Sequence, residues 1–215
     1  MHTVRVWDAP TRAFHWLLAG SVIGMVVTAK LGGNWMEWHI RLGPGVLALL
    51  VFRLAWGCVG GHWSRFSNFV YGPRALWRYL RGQAPAEHQM GHSPLGALSV
   101  FALLAALSLQ VVTGLMSDDE IAFFGPLVRF VDGGTVSQAT DFHKAVGQWL
   151  VLGLVALHVV AILVYQFGKR QDLIGPMLHG DKTAPLPSPS ARDGAAQRWL
   201  GVVLALLAAT VAYLV

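Results

Sequence analysis

Charge is what this sequence has least of. Only 13% of its 215 residues are Asp, Glu, Lys or Arg, where a soluble domain carries about 25%. With 54% hydrophobic residues, that shortfall excludes an ordinary soluble domain and points to a chain that lives in a membrane. Cysteine is nearly absent: Cys58 stands alone, which excludes an internal disulfide and a thiolate-held iron–sulfur cluster. There is no C-x-x-C-H run and hence no covalently attached c-type haem. No G-x-G-x-x-G follows a strand, and neither a phosphate-binding loop nor G-x-S-x-G occurs, so nucleotide and α/β-hydrolase chemistry have no foothold. A net charge of +5 would suggest nucleic acid for a soluble chain. Here the cations sit between apolar runs, so placement outweighs total and no nucleic-acid partner is expected.

What the sequence has instead is apolar length. A membrane-crossing helix needs about 20 mostly apolar residues, and five stretches reach or approach that: 14–31, 38–59, 93–116, 143–167 and 199–215. The nine Trp suit the membrane–water interface. Asp8 and Pro10 suit the start of the first helix, and Asn34 with Glu37 forms a capping-box pattern ahead of the second. Pro73 to Arg81 is compatible with a short interfacial helix, with Arg74, Arg78 and Arg81 on one face and Leu76, Trp77 and Leu80 towards lipid. Arg and Lys crowd the N-terminus, the 60–92 loop and the 168–198 connection, whereas the 32–37 and 117–142 loops hold one, Arg129. The expectation is a multi-pass protein of the bacterial inner membrane with a cytoplasmic N-terminus. The opposite loop is acidic (Asp118, Asp119, Glu120, Asp132, Asp141). The first helix is too long for a cleaved signal and no A-x-A follows it. Residues 183–198, rich in Pro and Ser, read as a flexible linker to an accessory fifth helix, 199–215.

Four histidines fall inside the spans: His15, His39, His143 and His158. Ionisable groups in a bilayer are costly and are functional candidates by default. His15 lies near the inner end of a rising helix; His39 and His143 lie near the outer ends of descending ones. His158, 15 residues past His143, is about 22 Å further in, and about 100° per residue leaves the two broadly on one side of the helix. The four sort into an inner pair, His15/His158, and an outer pair, His39/His143. Two imidazoles from different helices are what a six-coordinate haem iron needs, whereas zinc wants three or four ligands in one cluster. The expected cofactors are two b haems between helices. Arg41 and Lys144 beside the outer pair, and Arg53 in the inner half of the second helix, are candidate propionate partners. His92 reads as a helix-entry residue, with a substitute ligand or an approach to a quinone as the alternatives. His2, His62, His88 and His179 read as surface residues.

The segments VWDAPTRAFHWLL, WHIRLGPGVLALLVFRLAWG, GHSPLGALSVFALL, HKAVGQWLVLGLVALHVV and DLIGPMLHGDK, covering about residues 4–182, resemble the prokaryotic cytochrome b561 group. That group includes the cytochrome b subunits of membrane-bound nickel–iron hydrogenases. The resemblance implies a di-haem four-helix transmembrane domain over residues 1–182, ligated by those same four histidines, exchanging electrons with ubiquinone or menaquinone. The fifth helix lies outside the usual core. The leading expectation is an electron-transfer subunit between an outer partner (a hydrogenase small subunit or a c-type cytochrome) and the quinone pool, with direction open and homo-oligomers allowed. A superoxide:quinone oxidoreductase and a haem-containing anchor are the alternatives. The acidic outer loop should repel superoxide and favour a cationic docking surface.

Overall fold

A computed structural model describes residues 2–83, 85, 90–184 and 188–215. Five helices are long and apolar enough to cross a membrane: α1 (Ala9–Leu31), α2 (Trp35–Val59), α4 (Pro94–Leu115), the continuous segment Gly133–Gly168, and α8 (Ala195–Tyr213). Between α2 and α4 lies a short helix, α3 (Pro73–Leu80). Gly133–Gly168 comprises α5 (Gly133–Asp141), a π turn (Phe142–Gly147), α6 (Gln148–Leu163) and a second π turn (Val164–Gly168). Leu17, Ile23, Leu157 and Leu206 are among many large apolar side chains left exposed on these helices. That is the signature of faces solvated by lipid, where the helix satisfies its own backbone.

The fourth span starts ten residues before the sequence pattern places it, because Asp132 caps it. Its carboxylate accepts from the Thr135 amide at 3.1 Å and the Thr135 hydroxyl at 2.7 Å. Those donors hold the exposed Asp132 carboxyl below the usual carboxylate range. Asn34 does precede α2, but the Glu37 carboxylate pairs with Arg41, four residues on, at 2.5 Å. A cation one turn away is the stronger attraction.

The chain divides into two compact units. The first takes the described residues of 2–14, 53–102 and 157–204. There β1 (His2–Arg5) pairs antiparallel with β2 (Asp181–Ala184), which follows α7 (Ile174–His179). Val4, Val6, Trp7, Met90 and Ala184 form a buried cluster. The connection read as a flexible linker is tied down where it is described. Ala191 donates to the Arg5 carbonyl at 2.7 Å and Trp63 Nε1 to the Pro189 carbonyl at 2.8 Å. The nearly buried Asp193 carboxylate takes Arg5, Arg198 and the Ala9 amide. A carboxylate meeting three donors overrides the disorder that Pro and Ser favour. Residues 185–187 lie outside the described residues.

The same unit contains a buried carboxylate, Asp8, fully shielded from solvent. It caps α1 through the Thr11 amide (2.9 Å) and accepts from Thr11 Oγ1 (2.6 Å), Ser64 Oγ (2.8 Å), Trp56 Nε1 (3.1 Å) and the Gly61 amide (3.2 Å). Gly61 must lack a side chain, since a Cβ there would stand 2.5 Å from Asp8 Oδ2.

The second unit takes residues 15–52, 103–156 and 205–215. Its acidic loop is organised by backbone bonds from Gly125 to Ser117 (2.7 Å) and Leu127 to Leu115 (2.9 Å). Asp119 Oδ1 accepts the amides of Phe123, Ala122 and Ile121, which hold its carboxyl below the usual range.

Candidate functional site

His39 lies in the second turn of α2, half-buried, with Nδ1 2.9 Å from the Met25 carbonyl oxygen of α1. A carbonyl only accepts, so Nδ1 carries the proton and the Nε2 lone pair is left for a ligand. His143 repeats the arrangement: its Nδ1 stands 2.9 Å from the Gln110 carbonyl of α4. The two rings are 6.2 Å apart between centroids, with planes at 83°. Metal–nitrogen bonds of about 2 Å on either side of one ion, with about 1.1 Å from nitrogen to ring centre, put trans imidazoles about 6 Å apart. The observed separation is compatible with the two residues sharing one metal ion, and the carbonyls hold both rings in the tautomer whose Nε2 would ligate it. No cluster of three or more His, Cys, Asp or Glu suited to a metal occurs among the described residues. A two-imidazole donor set leaves zinc under-coordinated but suits an iron whose other four ligands are porphyrin nitrogens.

Local backbone explains how His143 reaches this position. It lies in the π turn, so the 3.6-residue spacing used to count along this helix does not hold through 142–147. Such turns are frequent at functional sites. Gln110 holds the histidine twice, by its carbonyl at the ring and by Nε2 donating to the His143 carbonyl at 3.0 Å. Sequence reasoning does not find Gln110, and nothing in the chain near it marks it. Gly114 gives the ring its room: a Cβ there would come 2.7 Å from His143 Cε1. Gly114→Ala is therefore expected to displace the imidazole and, if the pair holds a haem, to lower the haem content per chain read by pyridine haemochrome. Full haem content in that variant would show that the ring can step aside without loss.

The remaining candidate residues are placed as follows. His15 sits in the second turn of α1, its ring 4.9 Å from that of Trp16. His158 sits half-buried in α6. His15 belongs to the second compact unit and His158 to the first. Arg41 is exposed, paired with Glu37 and set against Trp38. Lys144, next to His143, is exposed. Arg53 is buried; its guanidinium carbon lies 4.5 Å from the Phe66 ring centre and its Nη1 has no hydrogen-bond acceptor among the described residues. A buried guanidinium with an unsatisfied N–H strongly attracts an anion.

His92 is held between Trp7 (4.7 Å) and Phe69 (4.2 Å), immediately before Ser93, whose hydroxyl accepts the Gly96 amide at the start of α4. Burial, and then the charge of Arg53, pushes its pKa down to about 3. The residue is a neutral packing element at helix entry. His62 and His179 bond locally, to Asn68 and to the Asp181 amide. His2 is exposed in β1, and His88 lies outside the described residues.

The family model described as prokaryotic cytochrome b561 matches residues 6–180. A probable Ni/Fe-hydrogenase B-type cytochrome subunit of Cupriavidus necator is 26% identical over 211 residues, covering 83% of this chain and 86% of its own. One of the same description from Azotobacter chroococcum is 27% identical, covering 82% and 87%. A probable Ni/Fe-hydrogenase 1 B-type cytochrome subunit of Escherichia coli K12 is 24% identical, covering 81% and 88%. No solved structure matches.

Proposed function

The chain belongs to the prokaryotic cytochrome b561 family, and from that premise we propose that it is a di-haem electron-transfer subunit linking a redox protein outside the membrane to the quinone pool within it. The observation that carries this reading is the His39/His143 pair, at the separation a shared iron requires and with both Nδ1 protons donated to carbonyls. His15 and His158 would hold the second haem. Haem supplies one-electron redox chemistry when bound. The chain's part is to hold the imidazoles, keep water from them with lipid-facing helices, and neutralise propionates, with Arg53 for the inner group and Lys144 and Arg41 for the outer one. Of these Arg53 is the firmest, because its Nη1 is buried without an acceptor among the described residues. The concentration of Arg and Lys in the 60–92 and 168–198 connections supports a cytoplasmic N-terminus. The relatives named as hydrogenase cytochrome subunits support a hydrogenase as the outer partner. A c-type cytochrome fits the same surface.

The outer surface favours a cationic partner over superoxide. Asp118, Glu120 and Asp141 line an open cavity of 360 Å³ with Val128, Val131 and Val136 in its wall. An anion is repelled there, whereas a lysine or arginine side chain finds carboxylates and apolar contacts. Asp119 is spent on three backbone amides, so Glu120 and Asp141 are the better probes. Glu120→Gln with Asp141→Asn is expected to slow partner-driven haem reduction or oxidation about tenfold at low ionic strength, with the difference vanishing in high salt. Equal rates for both proteins at low salt would sink docking at this surface.

A further inference from the structure

We propose that α3 and the C-terminal end of the α6 segment together form a binding surface for anionic phospholipid headgroups. At about 100° per residue, α3 has three faces. Ala75, Leu76 and Tyr79 are half-buried against the protein, which turns Leu76 inward rather than towards lipid. Trp77 and Leu80 are exposed (57% and 59%) on the second face. Arg74, Arg78 and the capping Arg81 occupy the third, and the Arg81 guanidinium lies 4.5 Å from the Trp77 ring centre. An apolar edge beside a cationic one is the profile of a helix lying in the headgroup plane.

The placement of α3 is set by tyrosines. The Tyr79 and Tyr165 hydroxyls hydrogen-bond to each other, and Tyr79 also bonds Ser93. Lys169 sits 4.1 Å from the Tyr165 ring centre, so α3 is pinned where the fourth span ends and another cation stands. Next to it Arg170 adopts φ 53°, the left-handed region that usually favours glycine at a helix end.

Among the described residues, Arg74, Arg78, Arg81, Lys169 and Arg170 have no carboxylate within ion-pair distance. Residues 61–83 contain no Asp or Glu at all. Five exposed cations with no ion-paired carboxylate among the described residues, at the end of a membrane-crossing helix and beside an exposed Trp and Leu, match phosphate groups fixed in the plane of the bilayer. The attraction is about fivefold in affinity per cation near an anionic surface.

The test uses the full chain in nanodiscs of equal phosphatidylglycerol and phosphatidylcholine. Native mass spectrometry then reads which lipid stays bound on release. The unmodified chain is expected to retain phosphatidylglycerol at least fivefold over phosphatidylcholine, with the preference falling in both Arg74→Gln/Arg78→Gln/Arg81→Gln and Lys169→Gln/Arg170→Gln. Equal retention of the two lipids by the unmodified chain overturns the proposal. A preference that survives either set of substitutions overturns the joint site. A second readout needs no charge removal: brominated phosphatidylglycerol should quench tryptophan fluorescence more than brominated phosphatidylcholine, and Trp77→Phe should reduce the difference. An unchanged difference in Trp77→Phe counts against the placement of α3. A surface meant for an acidic soluble protein would show neither lipid preference nor selective quenching.

Discussion

By pyridine haemochrome quantification the unmodified chain is expected to carry two b haems, and His39→Ala and His143→Ala one each. Each imidazole is held by a hydrogen bond from Nδ1 to a carbonyl on a neighbouring helix, Met25 for one and Gln110 for the other. That bond sets the neutral tautomer and aims the ring. With one imidazole gone, the remaining histidine would hold the group alone, and haem retention is expected to drop. The two variants should behave alike, because the pair acts as one unit. His15→Ala and His158→Ala should remove the other haem and leave the first spectrally intact. A His39→Ala chain that retains both haems with unaltered spectra would end the two-pair assignment. A spectrum in which His15→Ala and His39→Ala delete the same haem would require the histidines to be paired differently.

The second large effect is expected far from the histidine pair of α2 and the π turn. Asp8→Ala should destabilise the chain by about 3–5 kcal/mol, because it removes the acceptor of the buried Thr11 and Gly61 amides and of one of the two hydroxyls of Thr11 and Ser64, and leaves Trp56 Nε1 with Thr11 Oγ1 in place of two acceptors. It also removes the N-cap of α1 and the opposite charge that acts on buried Arg53. In a chain of this size that corresponds to an apparent Tm about 10 °C lower in detergent at fixed scan rate. Asp8→Asn should recover only part of the loss, since its amide NH2 would face other donors. A shift of less than about 2 °C for Asp8→Ala would mean that water replaces the carboxylate without cost.

Gln110, Asp8 and the 188–193 connection show what kind of information the one-dimensional pattern misses. Each is a hydrogen-bonding hub whose partners are distant in the chain: Gln110 to His143 across 33 residues, Asp8 to Ser64 across 56, Arg5 to Asp193 across 188. Composition and periodicity report the solvent a segment prefers and which face it turns. They do not report which donor will meet which acceptor, so a Pro- and Ser-rich stretch reads as slack although Asp193 fastens it. The start of the fourth span escapes the pattern for a related reason. Residues 133–142 are too polar to count as membrane-crossing, yet Asp132 caps them into the same continuous helix.

By itself, the sequence settled the class of this protein. Scarcity of charge and five apolar runs require a membrane, since no other solvent accepts so much exposed hydrocarbon. Four histidines inside those runs raise the question of ligation on their own, because an imidazole in a bilayer needs a partner. The order and spacing of the surrounding segments carry the family. Tertiary structure alone decided the rest. It set the 6.2 Å between the His39 and His143 rings, the carbonyls that fix their protons, and the π turn that presents one of them. It also pinned α3 to the end of the fourth span by a pair of tyrosines. Hydropathy is a property of each residue and its near neighbours, and can be read along the chain. A ligand geometry is a property of distances between helices, and exists only once they have packed.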